Sequence, residues 1–168
     1  MWIRRSTVAA GLAVVSGIAG SGTSLASVSA SVPSRCPTKA PVPIVVGPHG
    51  SGPVLPGGAA SIRLCRYGSL DAKQRLEGQH LTRSNVVIQS LTKRLNALPG
   101  LPPGAMACPA DDASEILLLT RGRNGAAANV TVGLRGCRIV ASTTGAATRL
   151  DLSDNGQPLL RQLVRLTA

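Results

Sequence analysis

Phenylalanine is missing from this chain, and Trp2 and Tyr67 are the only aromatic residues among 168. Proteins that hold single-stranded nucleic acid stack its bases on aromatic side chains, and so sparse a set cannot form that platform. The same poverty bears on stability, because aliphatic side chains bury less area apiece than rings do. Groups that titrate near neutrality are almost as scarce: His49 and His80 are the only histidines. His49 lies in Gly47-Pro48-His49-Gly50, and His80 reads as a half-exposed strand residue. Neither has a nucleophile motif beside it, since Gly-x-Ser-x-Gly does not occur. The phosphate-cradling Gly-x-x-x-x-Gly-Lys-Ser/Thr is missing as well. Acidic residues number 7 against 18 basic ones, and Asp111, Asp112 and Glu115 form the one acidic cluster. That cluster lacks the ligand order of a calcium loop and reads as a polar turn ahead of a strand. The expectation is a protein without catalytic residues, cofactor or bound metal.

Long hydrophobic runs are lacking too. The longest candidate, Thr7 to Ala19, is about 13 residues, short of the roughly 20 needed to cross a bilayer as a helix. Met1-Trp2-Ile3-Arg4-Arg5 precedes it as a positive segment, and Val28-Ser29-Ala30 follows as a small-x-Ala cleavage site. Ser24-Leu25-Ala26 is an alternative cut. Residues 1–30 therefore read as a signal peptide, with the mature chain starting near Ser31. Arg4-Arg5 suggests a twin-arginine route, but Ser6-Thr7-Val8 lacks the strongly apolar follow-on, so ordinary unfolded-chain export is expected. The localisation implied is secreted, extracellular or loosely cell-wall associated, and not integral to a membrane.

Removing Arg4 and Arg5 with the signal takes the formal net charge from +11 to +9. A field of that sign favours anionic partners. Yet arginine outnumbers lysine 15 to 3 in a chain rich in Ala, Gly, Pro and Leu, which is the mark of compositional bias. The basic residues are scattered, with no run longer than two. No specific nucleic acid is expected, and the partner stays open between an extracellular protein and an anionic envelope polymer.

Prolines 33, 37, 41, 43, 48, 53 and 56 crowd residues 31–58, which forbids a helix and interrupts a sheet ladder. This stretch reads as an N-terminal arm, with Pro43 to Val46 along a sheet edge, and the compact domain spans 59–168. Ile62 and Leu64 alternate with Arg63 and Cys65 in a half-buried strand over 61–67, and a weaker strand covers 75–81. Ser84 suits a helix N-cap. Val87, Ile88, Leu91, Leu95 and Leu98 then stripe one face of a helix over 85–97. Lys93 and Arg94 fall in its last turns, where cations suit the dipole, and Pro99-Gly100 stops it. Ile116 to Leu119 is continuously apolar, the pattern of a strand over 114–120 covered on both faces. Asn124-Gly125 marks a hairpin into a strand over 129–134, with Val130, Val132 and Leu134 inward. A third strand of this meander covers 137–142. Pro158 opens a short C-terminal helix with Leu159, Leu160, Leu163, Val164 and Leu166 facing the sheet. The fold class is α+β: an antiparallel sheet of four to five strands, two helices packed on one face, and two disulfides.

Cys36, Cys65, Cys108 and Cys137 allow three pairings, and the sequence alone does not choose among them. A meander returns its end near its beginning, which favours Cys108 with Cys137 and leaves Cys36 with Cys65. Each bridge closes about 30 residues, worth roughly 3.5 kcal/mol in the chain-entropy account. A metal site is the rival, but no Cys-x-x-Cys or nearby His pair supports it.

Leu64-Cys65-Arg66-Tyr67, Leu95-Asn96-Ala97-Leu98-Pro99, Cys108-Pro109 and Gly136-Cys137-Arg138 occur in that order. As an ordered set they resemble a group of exported actinobacterial proteins without an established biochemical role, over about Arg35 to the C-terminus. That resemblance implies a secreted α+β domain with two bridges, and no chemistry. A looser likeness is to the subtilisin-inhibitor proteins of the same bacteria, whose protease-binding loop surrounds a Cys-Pro. It implies that Ala105-Met106-Ala107-Cys108-Pro109-Ala110-Asp111 is the corresponding segment, with Ala110 at the primary recognition position. The chain departs from that pattern where the inhibitors hold two cysteines close in sequence, since Cys36 and Cys65 are far apart. The expected function is a secreted, non-catalytic extracellular or envelope-associated binding protein. The alternative is a subtilisin-inhibitor-like serine protease inhibitor.

Overall fold

Two-residue alternation along one central strand decides which parts of the chain meet. A computed structural model describes residues 34–41, 52–102, 110–123, 125–142, 148–150 and 156–168. In strand β1 (Ala59–Tyr67), Ile62 and Leu64 point to one face and Cys65 and Tyr67 to the other, all fully buried. Directly opposed residues of antiparallel strands share a face, so the register carries this division across the sheet. Leu64 faces Leu118 of β3 (Glu115–Gly122), which faces Val130 of β4 (Ala127–Gly133). On the other side Cys65 faces Leu117, which faces Thr131 and then Ala141 of β5 (Ile139–Ser142). The apolar run in β3 is thus divided: Ile116 and Leu118 enter one core cluster and Leu117 and Leu119 a second.

The sheet has six strands, not the expected four or five. Its order is β2-β1-β3-β4-β5-β6, with β2 at Leu76–Thr82 and β6 at Thr148–Leu150, and every pairing is antiparallel. The uncounted strand is β6, only 3 residues long. Thr148-Arg149-Leu150 is too short to show a period of two, and its neighbours are Gly, Ala, Ser and Asp residues that read as loop. It forms because β5 presents an edge: Val140 pairs with Arg149, and Arg149 Nη2 donates to the Gly52 carbonyl at 2.7 Å.

Both helices pack on the face that carries Ile62 and Leu64. Helix α1 (Asn85–Asn96) contributes Ile88, Leu91 and Leu95, and α2 (Gln157–Leu166) contributes Leu159 and Leu163. Val54 and Leu55 join the same cluster and are fully buried. Ser84 occupies the N-cap position of α1, but its hydroxyl makes no capping bond; its N–H donates to Thr82 Oγ1 at 3.3 Å. The C-terminal end of α2 lies against the edge strand β2. There a Cβ on Gly78 would run into the Thr167 carbonyl, so only glycine allows this approach.

The opposite face is roofed near β1 by residues 34–41. Cys36 is bonded to Cys65, Tyr67 Oη donates to the Pro37 carbonyl at 2.9 Å, and Lys39 bridges to Arg75. The described residues thus hold one complete disulfide rather than two. Cys137, 2% exposed, is also disulfide-bonded. Cys108 lies outside the described residues, as do residues 1–30, Pro43 to Val46, His49 and Asn124. No helix among the described residues is long and apolar enough to cross a membrane.

Candidate functional site

Among the described residues, those singled out from the sequence lie apart from one another: His80 is on β2, and the acidic cluster is at the turn into β3. His80 stands opposite Leu64 on the helix-covered face of β2, half-buried among strand residues. Of the inhibitor-like segment, Ala110 and Asp111 are described and 105–109 are not. Asp111 and Asp112 shape the turn into β3: Asp111 Oδ1 accepts the Ala113 N–H at 2.9 Å, and Asp112 Oδ1 accepts the Ser114 N–H at 3.0 Å and hydroxyl at 2.6 Å. Those bonds, chiefly the Ser114 hydroxyl, hold the Asp112 carboxyl below its ordinary pKa. Asp111 also packs on Gly136, where φ is +63° and a side chain would press on the Asp111 Cβ at 2.7 Å. Among the described residues, no group of three His, Cys, Asp or Glu side chains is placed to hold a metal.

Glu115, the third acid, is set apart from the other two. It sits opposite Tyr67 in the register, and its Oε1 is buried without a hydrogen-bond partner. Burial, with a smaller contribution from Asp111, pushes its pKa up to about 7. Tyr67 is pushed up to about 12, chiefly by burial and secondarily by Glu115, so its hydroxyl stays a donor to Pro37.

Among the described residues, two surface depressions differ in their charges. One, of about 390 Å³, lies at the end of β1 under α2. Its cations are matched by anions: Arg66 Nε lies 3.4 Å from Glu77, and Arg135 Nε lies 4.0 Å from Asp112. Such paired, half-exposed groups account for one another. The second is a groove of about 570 Å³ between the helices, lined by Ser90 and Arg94 from α1 and by Pro158, Arg161, Gln162, Arg165 and Leu166 from α2. No acidic side chain among the described residues lines it. Arg94 Nη1 donates to Gln162 Oε1 at 3.1 Å, which joins the two walls. Arg161 and Arg165 are exposed and stand one helical turn apart.

This groove was not legible in the chain. Arg94 and Arg161 are 67 positions apart, and no charge run draws attention to either. The single local signal is the i, i+4 spacing of Arg161 and Arg165 on the outward side of an amphipathic helix. No family model matches the chain, and neither a curated protein nor a solved structure matches it.

Proposed function

We propose that this chain is a secreted, non-catalytic binding protein that acts outside the cell or at the cell envelope, on a partner that carries negative charge. The observation that supports this reading is the groove in which Arg94, Arg161 and Arg165 meet without an acidic counterpart among the described residues. Guanidinium groups stay charged at all accessible pH. A concave surface lined by one sign of charge raises the local concentration of counter-ions and speeds their capture. Residues 1–30 are its signal peptide, and its kinship is with the exported actinobacterial proteins that share its cysteine-bearing segments. Cys137 bonds to Cys108, the one cysteine of four that the Cys36–Cys65 bridge leaves over, and this second bridge pins the bend before β5.

Co-sedimentation of the secreted protein with purified cell-wall fragments tests the reading. Binding at about 50 mM salt that is lost by about 500 mM is the expected result, because screening shortens the reach of exposed charges from above 10 Å to about 4 Å. Binding that is absent, or indifferent to salt, overturns it.

A further inference from the structure

The arginines of the groove differ in what explains them, and the difference points to a ligand. Arg94 and Arg165 stand in the last turns of α1 and α2, where a cation is favoured by the helix dipole whether or not anything binds. Arg161 stands in the middle of α2 and gains nothing from that effect. It stands one turn from Arg165, and like charges at this spacing destabilise a helix. It belongs to no ion pair among the described residues. Arg161 is therefore a charge placed at a cost, in a groove where two other guanidinium groups already lie.

We propose that the α1–α2 groove is a binding site for the phosphate esters of an anionic envelope polymer. This rests on the reading of the groove as the binding surface. Each guanidinium offers a planar fork of donors that matches two phosphate oxygens at once. Arg94 spends one Nη1 bond on Gln162, which orients its fork and leaves its other donors for a ligand. The Ser90 hydroxyl and the Gln162 amide add neutral donors beside the three cations. A phosphate ester sets its oxygens tetrahedrally about phosphorus, whereas those of a carboxylate lie in one plane, so forks from two walls can meet it from different sides. The groove, about 570 Å³ and open to solvent, has room for an organic phosphate ester. Pro158 and Leu166 supply apolar lining for the carbon skeleton that bears the phosphate. The concave form favours a strand of polymer lying between the helices over a bilayer surface, which would meet a flat or protruding face.

The test uses the secreted, disulfide-intact protein labelled with ¹⁵N. Its backbone and arginine Nε signals are followed during titration with glycerol 3-phosphate, with acetate and with inorganic phosphate. Vesicles of phosphatidylcholine with about one-third phosphatidylglycerol form a separate arm. The expected result is that glycerol 3-phosphate moves the signals of Arg94, Arg161 and Arg165 and binds at least tenfold more tightly than acetate. R161Q/R165Q should weaken it at least tenfold, while R123Q, on the β3–β4 hairpin, should leave it unchanged. Equal affinity for acetate and glycerol 3-phosphate, or shifts outside the groove, overturns the proposal. Tight vesicle binding without glycerol 3-phosphate binding also overturns it and reassigns the surface to lipid. If wall fragments still bind R161Q/R165Q in a salt-sensitive way, the groove is refuted while the charge-driven function stands. Failure of wall fragments and of every probe to bind refutes both.

Discussion

Asn96 satisfies both backbone groups of Leu55. Its Oδ1 accepts the Leu55 N–H at 3.0 Å, and its Nδ2 donates to the Leu55 carbonyl at 2.8 Å. The side chain thus acts as a short length of strand, fixing residue 55 so that its own side chain is fully buried against the helices. This explains the asparagine in Leu95-Asn96-Ala97-Leu98-Pro99, where its neighbours Leu95 and Leu98 are core. Asn96→Ala leaves a donor and an acceptor of a buried residue without partners, at about 2–4 kcal/mol. Urea unfolding should show the loss as a lower midpoint with an unchanged slope. A change below about 0.5 kcal/mol would mean that residues 52–55 dock by packing alone.

Gly78 and Thr167 make the second prediction. Thr167 is 1% exposed, and its hydroxyl donates back to the Leu163 carbonyl at 3.0 Å. Gly78→Ala must therefore push the end of α2 off β2, at about 1–3 kcal/mol, the range for overpacking. The penalty should largely vanish in a chain truncated after Leu166, and a double-mutant cycle measures that coupling. Additive effects of the two changes would show that the contact is not the cause.

The Cys36–Cys65 bridge joins positions 29 apart. Replacing both cysteines by serine should cost about 3.5 kcal/mol, a fair part of a typical margin of about 5–15 kcal/mol. The Tyr67 hydroxyl should lose its bond to Pro37 at the same time, because residues 34–41 are no longer tethered. Thermal unfolding reads the first effect, and faster exchange of amide protons in residues 34–41 reads the second. Unchanged exchange would mean that packing on Tyr67 and Leu117 holds the segment without the bond.

Glu115 makes stability depend on pH in the direction opposite to a salt-bridged carboxylate. Its pKa rises from near 4.5 to about 7 on folding, through burial first and Asp111 second. Below about pH 4.5 both states hold the proton and nothing is lost. Between 4.5 and 7 the unfolded chain has released it and the folded chain has not, so stability falls as pH rises, and above 7 the loss is complete. Glu115→Gln should be near neutral at pH 4.5 and should stabilise at pH 8 by about 1–2 kcal/mol after allowance for solvent screening. Melting curves at the two pH values decide it, and an equal shift at both would refute the assignment.

A non-catalytic binding role also predicts that subtilisin- and trypsin-like proteases keep full activity with the protein in micromolar excess. Tight, stoichiometric inhibition would instead favour the inhibitor reading and place its contact in the segment around Cys108-Pro109.

Much of the architecture was written locally. Alternation in β1 and β4, the apolar run of β3 and the stripe of α1 each bury a face that periodicity alone defines, so strands, helices and their sidedness could be read in advance. Strand β6 could not, because three residues carry no period and their pairing depends on the edge that β5 offers. The same distinction separates the glycines. The φ of +63° at Gly136 is a local property of a bend, whereas Gly78 is glycine because a helix end 89 positions later comes to rest on it. The groove belongs wholly to the tertiary level. Arg94 and the pair Arg161 and Arg165 are ordinary surface residues of two separate helices, and electrostatic fields add by distance in space rather than along the chain. Only the packing of α1 beside α2 on one sheet face turns them into a single site.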